Sequence, residues 1–79
     1  MIKFFYVKVV KSFYDNTWYA KKPFGYIYKV ENSNEHGFGI NSYVIVDSKN
    51  NYNGYGISKS DTELSSKTDF DAQDISMNQ

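Results

Sequence analysis

The residues able to carry acid–base or nucleophilic chemistry are few. The chain of 79 residues has no cysteine and one histidine, His36. Catalysis needs a nucleophile or an acid–base pair held in a pocket. His36 sits in "SNEHGFG", which predicts an exposed loop. Asp15, Asp47 and Asp61 each stand beside turn residues. Carboxylates in that setting bond to nearby backbone N–H groups, so a structural turn role is expected, and Asp61 in "KSDTEL" is the strongest case. A cysteine-based zinc site is excluded, and a lone histidine argues against a histidine-based one. "GFG" at 37–39 and "GYG" at 54–56 lead into predicted strands, whereas a phosphate cradle needs a following helix. The expectation is a protein that is not an enzyme, with no catalytic residue, metal or cofactor.

Aromatic side chains are the abundant resource. There are 15: Trp18, eight tyrosines and six phenylalanines. The segment "NTWYAKKPFGYIYKV", residues 16–30, holds the only tryptophan, four further rings, two adjacent lysines and the only proline. Val7, Val9, Ile27, Val30, Ile40, Val44, Val46, Ile57 and Leu64 already supply aliphatics for a small core. A barrel of about 60 residues holds on the order of ten to fifteen core side chains. The rings therefore exceed the interior, and clustered exposed rings mark interfaces. The expected binding surface is Trp18, Tyr19, Lys21, Lys22, Tyr26, Tyr28, Tyr52 and Tyr55. Trp18 has two readings, a plug of the barrel or a ring standing in a surface groove.

The elements that must position these rings read as strands. Leucine occurs once and alanine twice, and both are the strong helix formers; Tyr, Phe, Val, Ile and Thr favour strands. Residues 2–11 predict a first strand, with Phe5, Val7 and Val9 on one face and Phe4, Tyr6, Lys8 and Val10 on the other. Both faces are partly apolar, so this strand is either covered on both sides or meets a partner. "WYA" reads as a short extended piece and "KKPFG" as a turn. Further strands are expected in 26–31, 38–47 and 52–58, with "NSNEHG" a polar loop, "SKNN" a hairpin turn, and a short last strand ending at Leu64. The fold class is all-β, one domain over residues 1–64. Residues 65–79 are polar and acidic. They predict a flexible tail, or a short helix capped by Thr68 that sets Phe70 and Ile75 against the barrel or a partner.

In order, "VKVVKS", "WYAKKPFGYIYKVE", "YVIVD" and "YGISKSDTEL" resemble a loose group of very small proteins from phages and mobile elements of Gram-positive bacteria. The matched residues are Val7, Lys8, Val9, Trp18, Tyr19, Ala20, Lys22, Gly25, Tyr28, Val30, Tyr43, Val44, Tyr55, Ile57, Lys59, Ser60, Asp61, Glu63 and Leu64. Thr62 stands where the group often has cysteine, and Pro23 and Phe24 are inserted before the glycine. The resemblance implies a five-stranded SH3-like barrel; most of the group has no assigned function.

Charge narrows the partners. Residues 1–64 carry eight lysines and six acids, a balance of +2, and residues 65–79 carry one lysine and three acids, a balance of −2. No arginine is present, which weighs against a nucleic-acid binder. No run approaches the ~20 apolar residues of a membrane span, and the start lacks a cleavage site, so a cytoplasmic protein is expected, in the host cell if phage-encoded. The leading expectation is an interaction module that binds and inhibits a host defence or regulatory protein. The alternatives are an oligomer sequestering a nucleotide between rings and Lys21/Lys22, and a barrel for single-stranded nucleic acid. A thin stability margin adds the expectation of a homodimer.

Overall fold

A computed structural model describes residues 4–13, 16–20 and 24–77, with side chains as far as Gln73. It is made mostly of antiparallel strands with one short helix. The strands are β1 (Phe5–Val9), β2 (Ile27–Asn32), β3 (Ser42–Ile45), β4 (Gly56–Ser58) and β5 (Thr62–Leu64), followed by α1 (Lys67–Met77). They form one sheet in the order β4-β3-β2-β1-β5. Every neighbouring pair is antiparallel.

The connection between the two edge strands forces this sheet to curl. A single turn of 3-10 helix, Lys59–Asp61, joins β4 to β5. The steps from Ser58 to Thr62 reach at most about 14 Å. In a flat sheet the outer strands would stand about 19 Å apart, being four strand spacings of ~4.8 Å. The sheet therefore bends into a half-barrel, and its concave side holds the core.

Alternation along the strands fills that side, with Val7, Val9, Val30 and Ile57 as expected and with Ile45 of β3 in place of the expected Val44 and Val46. Val7, Val9, Tyr19, Tyr28, Val30, Ile45 and Ile57 form the buried cluster, with Val7 and Val30 fully inaccessible. Phe5 packs on Tyr43 with ring centroids 5.8 Å apart. Two expected core residues are at the surface instead. Ile40 (67% exposed) lies in the turn before β3, and Leu64 (73% exposed) ends β5. β5 is an edge strand with no further strand to cover its end, so a residue there stays wet even on the core-facing side.

The strands are shorter than the apolar runs that predict them. "WYA" is turn rather than extended chain, with Ala20 N–H donating to the Thr17 carbonyl. "NSNEHG" contains a 3-10 turn, Ser33–His36, closed by Gly37 at φ +83°. The predicted "SKNN" turn extends through residue 54, because the side chains of Asp47, Asn50 and Asn53 all bond to backbone N–H groups there. Gly54 at φ +91° completes the reversal, a conformation that costs a side-chain-bearing residue free energy.

The outer face of β1 and β2 is covered by α1. The cap is Ser66 rather than the expected Thr68: the Ser66 hydroxyl accepts the Asp69 N–H at 3.1 Å, as N-cap serines do. Lys67 pairs with Asp71 one turn on, at 2.8 Å. Phe70 packs on Tyr6 at 5.2 Å. Thus Tyr6, on the second face of β1, meets a segment of the same chain, whereas Phe4 on that face stays exposed beneath the Lys29 ammonium. The Ile75 side chain lies outside the described residues.

Candidate binding face

The long connection from β1 to β2 is anchored at Asp61. Asp61 is 1% exposed. Its Oδ2 accepts the Tyr19 hydroxyl at 2.5 Å and its Oδ1 accepts the Phe13 N–H at 3.2 Å. Its backbone carbonyl accepts the N–H of Val10 at 2.9 Å. The turn role expected for Asp61 involved nearby backbone; the carboxylate instead reaches partners 42 and 48 positions away. A buried carboxylate needs such donors, since burial without them costs several kcal/mol, on the order of 3–5 for an orphaned charge. Ser58 N–H also donates to the Tyr19 oxygen, at 3.3 Å. The loop is thereby pinned to the turn that closes the sheet.

That anchoring places Trp18 beside the β3–β4 turn. The indole Nε1–H donates to the Gly56 carbonyl at 2.7 Å. The indole stacks on Tyr52, with centroids 4.4 Å apart and planes 19° apart. It meets Tyr19, Tyr28 and Tyr55 edge-on at 5.3, 5.7 and 5.5 Å. Tyr52 and Tyr55 meet at 5.4 Å, and Tyr26 packs on Tyr28 at 4.8 Å. Stacked and edge-on geometries are the favoured ones, each pair contributing about 0.5–1.5 kcal/mol beyond area burial. Six rings from three separate segments therefore make one contiguous cluster with Trp18 at its hub.

The cluster has an inner and an outer layer. Tyr19 (2% exposed) and Tyr28 (6% exposed), both expected at the surface, belong to the core. They sit there because Tyr28 takes an inward position on β2 and the Tyr19 hydroxyl finds Asp61. Burial, with the Asp61 bond as a second cause, pushes Tyr19 up to about 12. Burial, followed by the neighbouring Tyr26 and Tyr52, raises Tyr28 to about 12. Both phenols stay neutral at physiological pH. Trp18, Tyr26 and Tyr52 are half-buried and Tyr55 is exposed, so these four form the outer layer. Trp18 resolves its two readings by doing both: one side packs on the core and the other remains accessible. Lys21 and Lys22, with Asp15 and Pro23, lie outside the described residues.

Several surface features were not anticipated. Phe38 and Ile40 stand exposed in "GFGIN". The bracketing glycines and the polar run before them were the available signal that this is a loop. Glu31 is buried on β2 and bonds His36 Nε2 at 2.5 Å, so the lone histidine partners a carboxylate five residues earlier. A cleft of about 360 Å³ opens between β2, the β3–β4 turn and α1, walled by Tyr26, Lys29, Val46, residues 47–50, Phe70 and Asp71, so that Tyr26 borders both the ring cluster and the cleft. Among the described residues, no group of three His, Cys, Asp or Glu side chains is placed to hold a metal ion. No helix there is long and apolar enough to cross a membrane.

Comparison with known proteins finds no matching family model, no similar curated protein and no similar solved structure.

Proposed function

We propose that this domain is an SH3-like half-barrel acting as a non-enzymatic interaction module, which binds a protein partner through the outer ring layer of Trp18, Tyr26, Tyr52 and Tyr55. The observation that carries the reading is the contiguous six-ring cluster, whose outer members keep accessible faces while its inner members are anchored in the core. Such preorganised rings offer large contact area at low rotamer cost, and Trp and Tyr are the residues most enriched among interface hot spots. The SH3-like assignment draws on the strand order β4-β3-β2-β1-β5 and the single 3-10 turn between the last two strands. The finer reading, an inhibitor that occupies the surface of a host defence or regulatory protein, draws on the aromatic surplus and the scarcity of catalytic residue types, with the phage setting taken from the sequence resemblance.

The test is site-specific photocross-linking in cells of the source organism. A photoreactive phenylalanine at position 55 should give one discrete protein adduct. The same probe at position 63, on the exposed outer edge of β5, should not. Equal labelling from both positions, or none from position 55, contradicts the proposal.

A further inference from the structure

The outer face carries a second, separate feature. The register of β2 with β3 runs from Asn32 back to Val30, and Val46 N–H donates to the Lys29 carbonyl at 3.0 Å. Beyond that the chain leaves β2 for the β3–β4 turn. Ile27, at the start of β2, thus has no neighbouring strand on that side. Its N–H and C=O are both taken by the side-chain amide of Gln73. Oε1 accepts the Ile27 N–H at 2.8 Å and Nε2 donates to the Ile27 carbonyl at 2.5 Å. A primary amide from α1 stands where a strand's peptide group would stand.

This clamp and the Phe70–Tyr6 ring contact lie three residues apart, on one face of the helix. The remaining described side chains of α1, from Lys67 to Ala72, are exposed. An isolated helix of fewer than ~12–15 residues is marginal in water, and α1 has 11. Its helicity and its docking are therefore one event. The last backbone tie before it is Ser65 N–H to the Tyr6 carbonyl, at 2.7 Å; only Ser66 separates that tie from the helix.

We infer that α1 is a detachable strap, which opens and closes as a unit on an intact sheet. Opening bares the Ile27 edge and the Tyr6 ring. It also removes Phe70 and Asp71, one wall of the 360 Å³ cleft, from opposite Tyr26 and Lys29. The strap thus gates both the free edge of β2 and the cleft beside it. This inference does not depend on the ring face being a binding site.

Amide hydrogen exchange of the whole chain, read residue by residue by NMR, tests it. Local opening leaves a signature of its own: amides that open together exchange at one protection level, below that of the global core. Ile27 and Phe70 amides should share one protection factor, at least about tenfold below that of Val30 and Ile45. Phe70→Ala leaves the Gln73 clamp chemically intact, yet it should speed Ile27 exchange about tenfold without changing Val30 or Ile45. Gln73→Ala should speed Phe70 exchange in the same way. Ile27 protected to the same level as Val30, or either substitution speeding all four amides equally, overturns the strap.

Discussion

Replacing Tyr19 by phenylalanine isolates the anchor that holds the ring face. The ring, and so its packing against Trp18 and the core, is retained; only the hydroxyl is lost. Asp61 Oδ2 then loses its 2.5 Å donor in a site with 1% exposure, and the Ser58 N–H loses its acceptor. A hydrogen bond to a charged group contributes about 1.5–3 kcal/mol, and an orphaned buried acceptor keeps its full desolvation cost. We expect a loss of about 2–3 kcal/mol. At about 0.05–0.15 kcal/mol per residue, a chain of this length has a total stability of only about 4–12 kcal/mol. With a slope of about 4–8 °C per kcal/mol for small domains, Tm should fall by roughly 10–20 °C. Urea denaturation followed by Trp18 fluorescence measures it. Tyr55→Phe is the control, since that hydroxyl is on an exposed ring, and it should change stability by less than about 0.5 kcal/mol. In the Tyr19→Phe background, Asp61→Asn should cost less than in the wild type, because Oδ2 has already lost its donor and only the Phe13 N–H on Oδ1 remains; a coupling of at least about 1 kcal/mol is expected. A Tyr19→Phe loss below about 0.5 kcal/mol, or strict additivity with Asp61→Asn, refutes the anchoring reasoning.

Three other outcomes follow from the same geometry. Tyr19 and Tyr28 have folded-state pKa values of about 12 against an ordinary 10.0. Their contribution to stability is complete below about pH 10 and is lost as pH rises toward 12, since the unfolded chain releases those protons first. The urea midpoint should therefore fall across that window, less steeply in Tyr19→Phe than in the wild type. Ile57→Ala truncates a side chain that is 1% exposed and should cost about 2–5 kcal/mol, seen as a lowered urea midpoint by circular dichroism. Ser66→Ala removes the α1 cap and should cost the helix about 0.5–2 kcal/mol, appearing as faster exchange of α1 and Ile27 amides.

The fold was legible where a residue's environment follows from its neighbours in sequence. The alternation of Phe5, Val7 and Val9 gave the core-facing side of β1 correctly; on β2 Val30 was placed in the core, whereas Tyr28, beside it on the same face, was expected at the surface. The shortage of leucine and alanine pointed to strands. What the pattern could not supply was the end of each strand's cover. Leu64 alternates correctly and is exposed because no strand lies beyond β5. Ile40 is apolar in a loop between glycines. The ring cluster was legible as a surplus and as a list of members, yet its division into layers was not. Tyr19 is buried because its hydroxyl meets Asp61 from 42 positions away, and no local pattern encodes that pairing. Gln73 was silent for the same reason: its role exists only once β3 has turned away from Ile27.

The proposed role of the outer rings is most directly measured as an affinity. With the partner captured at position 55, calorimetric titration of the wild type against Tyr55→Ala should show at least tenfold weaker binding, about 1.4 kcal/mol, with both proteins unfolding at similar urea concentration. Binding within twofold of wild type, by a variant that has kept its fold, would contradict the assignment of this face.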